Sequence, residues 1–318
     1  MTKDLSERMV RSVLVTGATG VIGRPAVEAL LAAGIAVTAV ARSHAAAARL
    51  AAAGASPVTV DLFDGDAVCD AVAGHDAIVH LATSIPPMRD MRRRAAWETN
   101  ARLRVDATRR LVDAARVHGV ARFVKESITF PYLDGGDDWL DEAAPLDPSP
   151  MWQATLVGEE LARAFGDDGA SVVVLRFGSL YARDARSTEE YRRLARLRIA
   201  PVPGAPDAFV SSIHADDAAT AVVAALAAPA ATYNVVDDRP LRRREHAAAV
   251  AGAFGVRRLH VAPAAPLRWL GGSGARGLTA SQRVSNRVFR TASGWQPRWT
   301  DAVAGWAGLF AEHEEVTP

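Results

Sequence analysis

The chain has 318 residues, of which 49% are hydrophobic and 23% charged, and a net charge of +1. That is enough apolar sequence for a substantial core and too much for a disordered chain, and near-neutral charge gives no global field toward nucleic acid or a membrane surface. The single cysteine, Cys69, excludes an internal disulfide, no run reaches the roughly 18 apolar residues of a spanning helix, and the short polar start does not read as a signal peptide, so a soluble cytoplasmic protein is expected.

Val13 to Thr16 is a short β-branched run ending in a glycine turn, and 21–33 keeps helical spacing up to Gly34. A second strand is predicted over 35–41, a helix over 45–53 closed by Gly54, and a third strand over 57–60 followed by Asp61 and Asp64. Ala77 to Leu81 is nearly all apolar, as in strands covered on both faces. One long helix is predicted over 93–118, a fifth strand over 122–125, a helix over 153–165 and a sixth strand over 171–176. Strands alternating with helices predict an α/β fold with a doubly wound parallel sheet.

Beyond Phe177 the pattern weakens to short strands at 210–213 and 233–236 between helices near 189–197, 217–227 and 243–254. The expected organisation is a dinucleotide-binding Rossmann domain over 1–177 and a smaller C-terminal substrate lobe over 178–318, with some segments returning to the sheet. The triplets Arg92-Arg93-Arg94 and Arg242-Arg243-Arg244 read as solvated faces. Alternatively the first of them, or Arg183, Arg186 and Arg192, lines a pocket for an anionic substrate.

Thr16-Gly-Ala-Thr-Gly-Val-Ile-Gly23 stands between a predicted strand and a predicted helix, the context a dinucleotide turn requires. Gly17, Gly20 and Gly23 permit a tight turn and close backbone approach, with Thr19, Val21 and Ile22 between them, and the helix start offers unpaired N–H groups to a pyrophosphate. At the end of the second strand an acid would bind a ribose 2′-hydroxyl and repel a 2′-phosphate. Ala41-Arg42-Ser43 has no acid there, and a guanidinium and a hydroxyl suit phosphate. NADP(H) is therefore the preferred cofactor, with NAD(H) as the alternative, and Arg24 is a further candidate phosphate ligand.

On these residues the chain resembles the extended short-chain dehydrogenase/reductase superfamily, in its NAD-dependent epimerase/dehydratase branch. Asp61-Leu62 resembles the family's adenine-contacting pair, and His80-Leu81-Ala82-Thr83 the stretch that runs beneath the cofactor. Leu175-Arg-Phe-Gly-Ser-Leu-Tyr181 resembles the segment beside the nicotinamide, and Ile213-His-Ala-Asp-Asp217 and Tyr233-Asn-Val-Val236 resemble later landmarks. The resemblance implies a substrate pocket that includes Thr129, Trp152, Thr155, Phe177, Ser179 and His214. It also implies a homodimer built on the 93–118 helix, with a monomer as the alternative.

The same resemblance implies a catalytic tyrosine with a lysine four places on, and this sequence lacks the pair. Four places after Tyr132, Tyr181, Tyr191 and Tyr233 stand Gly136, Ala185, Ala195 and Asp237, and the lysines are Lys3 and Lys125. By the family's spacing Met151 or Trp152 takes the tyrosine's place and Thr155 or Leu156 the lysine's, while the usual hydroxyl falls on Ile128 between Ser127 and Thr129. Candidate replacements are Lys125 and Ser127, which alternate onto one face of the fifth strand, and Tyr132 in the following loop. The bland readings are an exposed strand-end lysine and a packed tyrosine. Asp141 and Glu142 read as a solvated loop, and His214 as either a titrating group or a cap for the helix start at Asp216-Asp217.

The expected function is an NADP(H)-dependent oxidoreductase or epimerase/dehydratase-type enzyme with non-standard acid–base residues. Its substrate would be a small to medium polar organic molecule. Beside it stand a non-redox lyase or cyclase on the same scaffold and a catalytically silent NADP-binding sensor. No metal, nucleic acid or membrane partner is expected.

Overall fold

The apolar runs of the first half become strands of one sheet. The structure, a computed structural model, describes residues 9–91, 93–263 and 276–311. β1 (Ser12–Thr16), β2 (Ala36–Val40), β3 (Ser56–Val58), β4 (Ala77–His80), β5 (Arg122–Ile128), β7 (Ser171–Phe177) and β11 (Ala231–Val235) line up as β3-β2-β1-β4-β5-β7-β11. Every pairing is parallel. The strand order reverses between β1 and β4, and in such sheets the ligand crevice opens at the carboxyl ends of the strands on either side of that point.

Each face of the sheet is sealed by its own apolar cluster. α1 (Gly23–Ala32) and α8 (Ala215–Ala225) cover one face through Val13, Val15, Leu30 and Val222. α3 (Gly65–Val72), α5 (Thr108–His118) and α6 (Gln153–Gly166) cover the other through Leu14, Ile78, Leu111 and Phe165. Burial on both sides explains why strands such as Ala77-Ile-Val carry no polar alternation. α2 (His44–Ala52) is capped by the Ser43 hydroxyl, which accepts from the Ala46 N–H at 3.2 Å.

Beyond β7 the chain builds a smaller layer from β8 (Ser179–Tyr181), α7 (Arg186–Arg196), β9 (Phe209–Val210), β10 (Ser212–His214), β12 (Leu241–Arg242), α9 (Arg243–Ala253) and α11 (Ala302–Ala311), while α10 (Arg287–Ser293) returns to the main sheet and packs Phe289 against Tyr233 of β11. Its core gathers Tyr181, Leu241, Val250 and Leu309 around the fully buried Trp306. Two short strands, β6 (Trp139–Leu140) and β13 (Arg283–Val284), pair in parallel beside it. Among the described residues no helix is long and apolar enough to cross a membrane.

Three expectations are corrected. The single helix over 93–118 is a 3₁₀ turn (Arg94–Trp97), α4 (Glu98–Arg102), a π turn (Leu103–Ala107) and then α5. The wide turn hands main-chain oxygens to side chains: Leu103 O lies 3.2 Å from His80 Nε2, and Arg104 O accepts from the Thr108 hydroxyl at 2.7 Å. β5 continues past Lys125 to Ile128 because its polar residues find buried partners and its register with β7 holds from Arg122–Ser171 to Ile128–Phe177. The strand expected over 210–213 divides into β9, antiparallel to β12, and β10, parallel to β8.

Candidate functional site

Gly17 follows β1 with φ +70°, and a Cβ there would lie 2.6 Å from the main chain of Leu81 and Ala82. The turn is thereby pressed against the segment after β4, where any side chain is excluded. A Cβ on Gly23 would overlap the Gly17 carbonyl oxygen, and the Gly20 N–H donates to that same oxygen at 2.9 Å. α1 starts with no side-chain cap and no acid in its first turn. The Arg24 N–H is taken by the Gly20 oxygen at 3.1 Å and the Ala26 N–H by the Ile22 oxygen at 2.9 Å, so what the helix start offers a diphosphate is the positive end of its dipole and the close approach that the glycines allow. Thr16, Ile22, Leu81 and Ala82 are buried behind the turn, while Thr19, Val21 and Thr83 are half-buried and Gly20 is open.

At the end of β2, Arg42 is exposed and no described residue pairs with it. Ser43 is exposed as well, its hydroxyl engaged as the α2 cap. Arg24, the further phosphate candidate, instead pairs with Asp184 at 2.5 Å. Asp61 turns its carboxylate back on the Phe63 N–H at 2.9 Å, with Leu62 buried beside it. These residues fit the ribose and adenine end of a dinucleotide laid from the glycine turn toward β3.

On the other side of the turn the sheet ends in a buried polar row. Thr16 pairs in register with His80, and His80 with Lys125, so the three side chains share the face covered by α5 and α6. Leu103 O only accepts, so His80 Nε2 carries the hydrogen and Nδ1 accepts from the Thr16 hydroxyl at 2.6 Å. Burial, then the Lys125 charge, holds the imidazole well below its ordinary value. Lys125 is only 1% exposed, which corrects its reading as a solvated strand end. Its ammonium donates to the Glu126 main-chain oxygen at 2.6 Å, and burial lowers it to about 8.

Ser127 and Tyr132 are both engaged. The Ser127 hydroxyl donates to Glu159 Oε1 at 2.5 Å, and Glu159 also takes a fork from Arg176 at 2.9 and 2.7 Å. Burial alone would raise the Glu159 carboxyl, but the Arg176 guanidinium holds it below the ordinary carboxylate range. The Tyr132 hydroxyl donates to Asn234 Oδ1 at 2.8 Å and receives Arg176 Nη1 at 2.8 Å. Burial pushes the phenol up. The two candidate proton donors thus brace the β5–β7–α6 junction, and neither has a hydroxyl left over for a substrate.

Trp152, next to Met151 and at the start of α6, is 3% exposed, stacks on Phe130 at 6.2 Å and 12°, and has no partner for its indole N–H. Thr155 and Thr129 are buried nearby in sequence, Phe177 is sealed in the core, and Ser179 is half-buried on β8. His214 takes the cap reading of its two: its Nδ1 accepts from the Asp216 N–H at 3.2 Å, and its ring lies 5.3 Å from Tyr181 and 5.9 Å from Trp299. Glu142 is half-buried rather than solvated and receives the Asn234 N–H at 2.8 Å. Asp141 is exposed. Arg183 and Arg186 are exposed, and Arg192 lies over the Phe254 and Phe310 rings. Arg243 of the second triplet is buried, donating to the Thr279 and Ala280 carbonyls. Arg92 lies outside the described residues, while Arg93 and Arg94 are exposed.

Sequence reasoning passed over Arg104 and Glu126. Arg104 is 1% exposed inside the π turn, and its Nη2 meets Glu126 Oε1 at 3.0 Å. The amphipathic pattern of a regular helix gave no reason to turn an arginine inward. A π turn leaves no mark in composition.

The model of the NAD dependent epimerase/dehydratase family matches residues 13–236. The chain is 37% identical over 306 residues to a 3-diazoavenalumate denitrifying reductase of Streptomyces sp., covering 92% of this chain and 98% of that one. The UDP-glucose 4-epimerase of Thermus thermophilus, solved with NAD, superposes with a TM-score of 0.74 at 22% identity, over 94% of this chain and 98% of its own. A human epimerase family protein solved with NADPH does so with 0.75 at 23%, over 95% and 99%. With the glycine turn, the switch point and these matches in hand, the chain belongs to the NAD-dependent epimerase/dehydratase family of extended short-chain dehydrogenases/reductases and is an enzyme that uses a nicotinamide dinucleotide.

Proposed function

We propose that this enzyme is an NADPH-dependent reductase that removes a diazo group from an aromatic substrate. The observation that carries the reading is that no tyrosine of this sequence has a lysine four places on; by the family's spacing Met151 or Trp152 and Thr155 or Leu156 would stand in their places. Reducing a carbonyl leaves an alkoxide that a positioned acid must protonate, and losing such an acid costs about two to four orders of magnitude. A diazonium group needs no such acid. The reduced nicotinamide supplies two electrons as hydride, the R–N bond gives way to R–H, and the nitrogen leaves as N2 with charge balanced.

The full-length similarity to a reductase named for a diazo compound supports this chemistry. The parallel Phe130–Trp152 pair supports an aromatic ring beside the nicotinamide. Arg42, exposed and unpaired among the described residues, supports NADPH over NADH. In this reading the glycine turn binds the diphosphate, the β1–β4 junction orients the nicotinamide, and Trp152 excludes water from the reacting face.

The test is turnover of a stable arenediazonium salt with NADPH, following nicotinamide absorbance and N2 together. The expected outcome is one N2 released per NADPH oxidised. Oxidation of NADPH by aldehydes and ketones, with the diazonium salt left intact, would overturn the reading.

A further inference from the structure

The buried groups beneath the crevice do not balance in charge. Arg104 and Lys125 are each 1% exposed, and the carboxylate that faces them both is Glu126, 3.0 Å from Arg104 Nη2 and 3.8 Å from Lys125 Nζ. His80, next in the row, has its imidazole held toward the neutral form. Glu159 is committed to Arg176, Arg163 and Ser127. One positive charge is left in excess in a dry site, where an unpaired ion is costly.

The open valences lie in the same cluster. Among the described residues Arg104 Nε and Nη1 have no hydrogen-bond acceptor, and Glu126 Oε2 has no hydrogen-bond donor, the Lys125 ammonium standing 3.8 Å away. Arg104 is carried by the π turn, and π turns recur at functional sites. α6 packs so closely on that turn that a Cβ on Gly158 would lie 2.5 Å from Arg104 O. The indole N–H of Trp152, six residues before Gly158 at the N-cap of α6 and lying against Gly277, also has no hydrogen-bond partner among the described residues. Six residues of helix rise about 9 Å, the reach of one aromatic ring with a substituent.

From this geometry we infer that Arg104, backed by Lys125, is a binding site for an oxyanion carried by the aromatic substrate, a phenolate or a carboxylate, with the ring against Trp152. The inference names the substrate class of the reductase proposed above and rests on that reading. The guanidinium would hold the substrate oxygen as an anion by charge and paired N–H groups, so the missing tyrosine has no proton to deliver there. Glu126 fixes one edge of the fork and leaves the other two donors to the ligand.

The experiment uses 4-nitrophenol, whose absorbance distinguishes phenolate from phenol, with the full-length protein in the presence and absence of NADP+. Buffered about one unit below the dye's solution pKa, the wild-type protein should bind it as phenolate. Arg104→Met should weaken that binding about tenfold or more, Lys125→Met should weaken it less, and Arg116→Met, on the exposed face of α5, should match wild type. Displacement by 4-nitrobenzoate would identify a carboxylate as an accepted source of the oxyanion, and lack of displacement would restrict the site to phenolates. A dye bound as neutral phenol, no binding at all, or an Arg104→Met variant equal to wild type would overturn the site. If Arg104→Met does not fold, Arg104→Lys keeps the charge without the fork and should show intermediate affinity. The dye reading needs no turnover, so its failure is separate from a failure to reduce diazonium salts.

Discussion

Lys125 shows how a buried charge is read in free energy. Burial lowers its ammonium to about 8, below the unfolded value of about 10.5. The folded state therefore binds this proton less readily than the unfolded chain. The resulting penalty is complete below about pH 8 and fades as pH rises toward 10.5. Lys125→Met should raise stability at pH 7 by about 1–3 kcal/mol and give almost no gain near pH 10.5, as measured by urea unfolding at the two values. A loss of stability at pH 7 would show that the ammonium's bond to the Glu126 carbonyl outweighs its desolvation. Arg42 poses the opposite case, an exposed cation with no partner among the described residues. Arg42→Ala should raise the Kd for NADPH about tenfold and leave that for NADH unchanged, read by quenching of protein fluorescence.

At the scale of elements, the glycine turn is where sequence and structure agree most closely. Gly17 has φ +70° and faces the Leu81–Ala82 main chain at the distance of a forbidden contact. Gly17→Ala should cost about 1–3 kcal/mol of stability and remove measurable dinucleotide binding in calorimetry. A glycine-spaced motif, a strand before it and a helix after it are local features, so they were legible in the residues. The apolar runs of β1, β4 and β7 were legible for the same reason. What escaped was set by tertiary partners: the continuation of β5 through Glu126 and Ser127, the π turn before α5, and the inward Arg104. Each puts polar residues where local pattern expects a surface, and each is stabilised by a group far away in sequence, such as His80 on Leu103 or Glu159 on Ser127. His214 shows the converse, a local feature read correctly, since a cap ahead of Asp216-Asp217 was among the readings its residues offered and it caps α8.

For the whole molecule, the strand order reverses between β1 and β4, the place where ligands bind in open α/β sheets. In the proposed reading Arg42 would meet the adenosine end of the dinucleotide and the glycine turn its middle, with the buried row of Thr16, His80 and Lys125, adjacent in register, toward the reacting end. The scaffold of the family is kept and the sequence has no tyrosine with a lysine four places on, so in the proposed reading the reaction should depend on hydride alone. The most direct measurement is the single-turnover rate of NADPH oxidation by an arenediazonium salt between about pH 6 and 8, repeated with NADPH deuterated at C4 and in deuterated water. The account predicts a rate slowed by deuterium at C4, level across that range and indifferent to the solvent isotope. A sloped or bell-shaped profile with a solvent isotope effect on the same step would place a proton donor in the transition state and contradict it.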